Sequence, residues 1–163
     1  MPPVLDVDVL LLFSTALAAK RRPAELVEIV AALDLVNGNI PGEEKLSEAF
    51  ARLGTRGLLQ EAGGGIALTP AAEKLIEILP RKGEHAERLF ELKGLLGAHA
   101  TFADGPLINL APDQLRAAIL AHRAAAAGRA KNLLVPKPKP ESTQARPGQR
   151  QRQRKPMPKA RQR

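Results

Sequence analysis

The sequence contains no cysteine, no tryptophan and no tyrosine, and its aromatic side chains are four phenylalanines among 163 residues. Without cysteine, a disulfide framework, a thiolate nucleophile and a cysteine-ligated metal site are all excluded. With so few aromatics, the core has to be built from Leu, Ile, Val and Ala, which favours packed helices over a β-sandwich. A chain of this length suits one domain with an appendage.

Long hydrophobic runs are also missing. The longest apolar stretch, Val9–Phe13 with Ala16–Ala19 behind it, is too short to span a bilayer. Asp6 and Asp8 precede this stretch, where a secretory signal would carry Lys or Arg. The sequence therefore predicts no membrane association and a cytoplasmic location.

Positive charge is abundant but confined to one end of the chain. Residues 1–135 hold 15 Lys and Arg against 16 Asp and Glu, a net charge of −1. Residues 136–163 hold 10 Lys and Arg against Glu141 alone, a net charge of +9. We call residues 136–163 the basic tail. Because it is rich in Pro, Lys, Arg and Gln and has almost no apolar side chain, we expect it to be disordered.

The first half of the chain has the pattern of three helices. Residues 5–17 are apolar nearly all round a helical wheel, which predicts a central helix. Pro23 suits the first position of a second helix, whose apolar residues recur at helical spacing up to Leu33. The turn-forming run 37–42 ends it, and a third helix is predicted from Gly42 to Arg56, with Gly57 placed to terminate it.

Two short apolar runs on either side of Gly63–Gly65 predict a small β-hairpin. Thr69 can cap the next helix and Pro70 can open it, and Pro80 stops it. A fifth helix is expected over 84–96 and a long Ala-rich helix over 112–131, with a loop between them. The predicted class is mainly α with a small β-hairpin.

This order of elements resembles the winged helix-turn-helix of bacterial transcription regulators over roughly residues 7–79. The most specific part is Leu53-Gly-Thr-Arg-Gly-Leu-Leu59 before the hairpin and Leu68-Thr-Pro70 after it. No particular subfamily matches. The resemblance implies a winged-helix domain over 1–80, a helical extension over 81–135 and the basic tail over 136–163.

The same resemblance implies that the third helix enters the DNA major groove, with the hairpin tip near the phosphate backbone. The polar residues of this helix available for contact are Lys45, Ser47, Arg52, Thr55 and Arg56. Glu43, Glu44 and Glu48 share the helix and would be repelled by phosphates, and the glycine tip carries no cation. The resemblance thus supports the architecture more strongly than base readout.

The basic tail is a second candidate interface. Ten cations within 28 residues favour salt-sensitive binding to nucleic acid, with DNA preferred over RNA. The cations are Lys137, Lys139, Arg146, Arg150, Arg152, Arg154, Lys155, Lys159, Arg161 and Arg163. The alternative is a solubilising extension on a winged helix that serves as a protein-interaction adaptor.

The pattern argues against an enzyme. His85, His99 and His122 are widely separated and form no metal-ligand motif, and the triple glycine lacks the Lys of a phosphate loop. No cofactor is expected.

The helices over 84–131 could form a homodimer. Leu89, Phe90, Leu92 and Leu96 are expected on one apolar side of the fifth helix, and Leu115 and Ile119 are available on the last. Alternatively, the same side chains cover the winged domain of their own chain.

Overall fold

The computed structural model describes residues 3–98 and 104–134, which form a mainly helical fold with one two-stranded antiparallel hairpin. The predicted class, mainly α with a small hairpin, is confirmed. The elements in chain order are α1 (Asp6–Ala18), α2 (Leu26–Asn37), α3 (Glu43–Thr55), β1 (Leu59–Ala62), β2 (Gly65–Leu68), α4 (Pro70–Ile78), α5 (His85–Ala98) and α6 (Pro112–Leu134).

Helix α1 is the centre of the core. Every residue from Asp8 to Thr15 is buried, and α2, α3 and α5 pack around it. A helix that is apolar on all sides can bury side chains against several neighbours at once. The central position predicted from the sequence is confirmed.

The predicted start of the second helix at Pro23 is wrong. Helix α2 begins at Leu26, because Pro23 and Ala24 belong to an extended segment. The N–H and C=O groups of Ala24 each bond to Ile66 of β2 at 2.8 Å. Pairing with the hairpin satisfies these buried backbone groups and outweighs the preference of Pro for a helix start.

The hairpin and α4 form as their sequence predicts. Leu59 pairs with Leu68 and Ala62 with Gly65, and the turn glycines Gly63 and Gly64 both have positive φ. A turn of this kind requires residues without a Cβ. Thr69 caps α4 by accepting a hydrogen bond from the N–H of Ala72.

Two leucines test whether α3 and α4 share one core. Leu53 is completely buried and Leu75 is 4% exposed, both within the same hydrophobic cluster. We expect Leu53→Ala and Leu75→Ala each to lower the free energy of unfolding by about 2–5 kcal/mol, since each leaves a cavity. Denaturant unfolding measures this loss, and Leu35→Ala, at a 73% exposed position, serves as control. Losses below about 0.5 kcal/mol, the range of exposed surface positions, for both core variants would contradict the packing.

The helices after Pro80 pack on the same core. Leu92 and Leu96 of α5 and Leu115 and Ile119 of α6 are all buried within the chain's own cluster. The predicted apolar side of α5 is wrong in one residue, because Phe90 is 79% exposed. Leu89 is half-buried against the same cluster, so five of the six side chains considered for a homodimer are used inside one chain.

Helix α6 fills the space between α2 and α3. It packs against both of them, whereas α2 and α3 have few direct contacts with each other. Although α6 has 23 residues, no helix of the described residues is long and apolar enough to cross a membrane.

Residues 104–111, which we call the strap, run along α3 before α6 begins. Ile108 and Leu110 of the strap are buried. Gly105 donates its N–H to the carbonyl oxygen of Thr55 at 3.0 Å. A Cβ on Gly54 would lie 2.8 Å from the Pro106 carbonyl oxygen, and one on Gly105 would lie 2.5 Å from Cα of Gly57. Glycine at these positions lets two backbones approach closely.

Candidate nucleic-acid interface

Helix α3 carries the sequence-predicted contacts, and its periodicity divides it into distinct sides. Its apolar side buries Leu46, Ala49, Phe50 and Leu53. A second side faces the strap and α6, because Ser47 donates its hydroxyl to the Leu110 carbonyl oxygen at 2.7 Å. Only the remaining sides can reach a ligand.

The outer face of α3 is formed by Glu44, Glu48, Ala51 and Thr55, which recur at helical spacing. Both glutamates and Thr55 are exposed. The hydroxyl of Thr55 donates to the Ala51 carbonyl oxygen at 2.8 Å, so it is partly engaged within the helix. The outer face is therefore acidic, which opposes close approach of phosphates.

Arg52 is held by a buried carboxylate on α1. Its guanidinium donates to both oxygens of Asp8, with Nη2 to Oδ1 at 2.7 Å and Nε to Oδ2 at 3.2 Å. Asp8 is 1% exposed and the Arg52 side chain 22% exposed. The hydrogen bond to Asp8 raises the pKa of Arg52 above its ordinary value. A paired guanidinium that neutralises a buried carboxylate is a structural link between α1 and α3.

Arg52 and Arg56, the two arginines predicted as contacts, lie one helical turn apart near the C-terminal end of α3. Arg56 is half-buried at the C-terminal cap of α3. Lys45 is exposed on the same helix. Of the five predicted α3 contacts, Ser47 and Arg52 serve internal packing, Thr55 bonds within its own helix, and Lys45 stays open to solvent.

The N-terminal end of α3 is tied to α6 through charge. Glu43 accepts hydrogen bonds from Nη2 and Nε of Arg116 at 2.8 and 3.0 Å. The pKa of Glu43 is lowered, first by a hydrogen bond from its own backbone N–H and then by Arg116. A negative charge at a helix N-terminus is favourable, which explains why this end of α3 is acidic.

The hairpin tip offers backbone but no positive side chain. An open groove of about 360 Å³ lies beside it, lined by Leu26, Ile66, Leu110, Gln114, Glu61 and the tip glycines. Its single charged side chain, Glu61, is negative. No side chain that lines this groove carries a positive charge to attract a phosphate.

The two histidines that the structure describes, His85 and His122, lie in different parts of the fold. The ring of His85 packs edge-on against Phe13 at 5.8 Å between centroids, and Nε2 of His122 lies 3.0 Å from Oδ2 of Asp34. His99 and all ten cations of the basic tail lie outside the described residues. Within the described ranges, no three His, Asp or Glu side chains are grouped so that they could hold a metal ion.

Two features of this interface escaped the sequence analysis. The first is the Asp8–Arg52 pair, for which the signal was a carboxylate within an otherwise apolar helix. The second is the cover that the strap and α6 place along α3. No local sequence pattern predicts this cover, because the Ser47–Leu110 contact joins residues 63 positions apart.

Comparisons with protein-family models, with curated proteins and with solved structures found no significant match.

Proposed function

We propose that this chain is a cytoplasmic, nucleic-acid-associated regulatory or architectural protein. In this proposal a winged helix-turn-helix body carries the basic tail, and DNA is the preferred partner. The observation that carries the proposal is the separation of charge, with −1 on residues 1–135 and +9 on residues 136–163. A segment of that charge density binds polyanions through counterion release. No catalytic step and no cofactor are assigned.

The body's topology supports the winged-helix reading. The extended Ala24 between α1 and α2 pairs with β2, so the hairpin has a third backbone neighbour. Helix α3 precedes the hairpin and α4 follows it, in the order expected for a winged helix. The position of α6 between α2 and α3 departs from a simple helix-turn-helix pair.

The distribution of charge suggests different roles for residues 1–135 and for the basic tail. The outer face of α3 carries two exposed glutamates, and Arg52 is committed to Asp8. Affinity for phosphates is therefore assigned to the basic tail, and the body is assigned placement or choice of partner. This arrangement predicts binding that depends strongly on salt and weakly on sequence.

The second candidate is a protein-interaction adaptor. It is favoured by the same outer face of α3, since an acidic helix surface suits a basic protein partner better than DNA. In this reading the basic tail only keeps the protein soluble.

Sequencing the nucleic acid that co-purifies with crosslinked protein distinguishes the two candidates. A recurrent motif supports a regulator, and a random background enriched over a mock purification supports an architectural role. The same purification from a strain that expresses residues 1–135 is the matched control and should lose the nucleic acid. If the full chain recovers no nucleic acid above the mock level, the adaptor is favoured.

A further inference from the structure

The last helix continues well past the body of the protein. Among the side chains of α6 that the structure describes, His122 is the last half-buried one, and those from Arg123 to Arg129 are exposed. The helix itself continues to Leu134. At a rise of about 1.5 Å per residue, the twelve residues after His122 extend about 18 Å beyond the body. We call residues 123–134 the projecting half of α6.

The charge boundary of the chain falls inside α6, upstream of the basic tail. Asp113 is the last carboxylate of the described chain, and Glu141 is the next one in the sequence. Residues 114–163 therefore hold 14 Lys and Arg against one Glu, a net charge of +13, and residues 1–113 hold 11 against 16, a net of −5. Arg123 and Arg129 are exposed cations on the projecting half, and the positive charge of Arg123 contributes to lowering the pKa of Glu43.

The residues between Arg123 and Arg129 have small side chains or none. Residues 124–127 are all alanine, and a Cβ added at Gly128 would have no atom within 4 Å. The described part of this segment therefore presents a slim, positively charged helix that no residue of the described ranges covers.

We infer that the projecting half of α6 binds in the major groove of duplex DNA, as a helical continuation of the basic tail. This inference rests on the proposed function and adds a structured contact to it. A groove about 12 Å wide admits a helix. A helix with alanine side chains is slimmer than average, so it can bring Arg123 and Arg129 close to phosphates. The negative charge of the DNA phosphates complements the positive charge of these two arginines.

The first test removes charge from the projecting half of the full-length protein. Arg123→Ala/Arg129→Ala is compared with Arg81→Ala/Lys82→Ala, which removes two exposed cations from the loop before α5. In a salt titration on unrelated 30-base-pair DNA duplexes, the α6 variant should reduce the slope of log affinity against log salt by about 2, from roughly 0.9 per phosphate contact. The loop variant should keep the wild-type slope.

The second test changes helicity without changing charge. Gly128→Ala favours the helix and Gly128→Pro interrupts it. On duplex DNA, Gly128→Ala should bind at least as tightly as wild type, and Gly128→Pro about tenfold more weakly. On duplex RNA of the same length the two variants should bind equally, because the A-form major groove is too narrow for a helix.

These outcomes separate the inference from the function on which it rests. If wild type binds DNA but both α6 tests match their controls, the projecting half is not a contact and the basic tail alone accounts for binding. An equal loss for Gly128→Pro on DNA and RNA rejects docking in the major groove. If wild type shows no salt-dependent binding to either duplex, the proposed function and the inference both fail.

Discussion

Removal of residues 136–163 should abolish most of the affinity of this protein for random duplex DNA. The deletion changes the net charge from +8 to −1 and so removes the long-range attraction to phosphates. If about six of the ten tail cations contact phosphates, the basic tail alone should contribute about −5 to the slope of log affinity against log salt. The truncated chain should bind weakly with a much shallower slope, because only the cations of α6 remain near the DNA.

The control for this prediction is the stability of the body. The buried cluster ends at Ile119, so no described core residue lies in the deleted segment. The thermal midpoint of residues 1–135 should therefore match that of the full chain within about 1 °C, since a segment with almost no apolar side chain contributes little to stability. Equal affinity and equal salt slope for both chains would show that the basic tail is not involved in binding.

The second large effect is expected for Arg52→Ala, and it concerns folding. The substitution leaves the Asp8 carboxylate, 1% exposed, without the guanidinium that donates to both of its oxygens. Leaving a buried charge without its partner lowers the free energy of unfolding by about 3–5 kcal/mol when both partners are fully buried. Because the Arg52 side chain is 22% exposed, we expect a loss of about 2–4 kcal/mol in the free energy of unfolding.

Urea unfolding of the wild type and of four variants, Arg52→Ala, Asp8→Ala, Asp8→Ala/Arg52→Ala and Lys45→Ala, tests this link. Lys45→Ala, at an exposed position on the same helix, should change stability by less than about 0.5 kcal/mol. The double variant Asp8→Ala/Arg52→Ala should lose less free energy of unfolding than the two single variants lose together. We expect this difference, the coupling energy, to be about 1 kcal/mol or more. A single variant Arg52→Ala as stable as Lys45→Ala would mean that the pair contributes nothing to the fold.

Local patterns accounted for most of the helices. The apolar residues of α1, the Gly57 stop after α3 and the Thr69-Pro70 start of α4 are all decided by neighbours within a few positions, so the sequence predicts them. The prediction for Pro23 was wrong because it also relied only on neighbouring residues. Its local preference for a helix start was overruled because the next residue, Ala24, pairs with Ile66, which lies 42 positions after Ala24.

The candidate site was less predictable than the fold. The sequence indicates which residues of α3 are polar, but the buried partner of Arg52, Asp8, lies 44 positions away and the partner of Ser47 lies 63 positions away. A cation that faces a phosphate and a cation that neutralises a buried carboxylate have the same sequence signature. Only the packing of α1 and α6 against α3 distinguishes the two roles.

The close passage of the strap over α3 restricts how this protein can vary during evolution. A side chain on Gly105 would collide with the carbonyl oxygen of Gly54 and with Cα of Gly57, and a side chain on Gly54 would collide with Ile108. None of these atoms is the movable end of a long polar side chain, so adjustment requires a shift of backbone or of a buried residue. Descendants that retain the strap should therefore retain glycine at positions 54 and 105, even where the outer face of α3 has diverged. Loss of both glycines in one lineage would indicate that the strap, and α6 after it, no longer packs against α3.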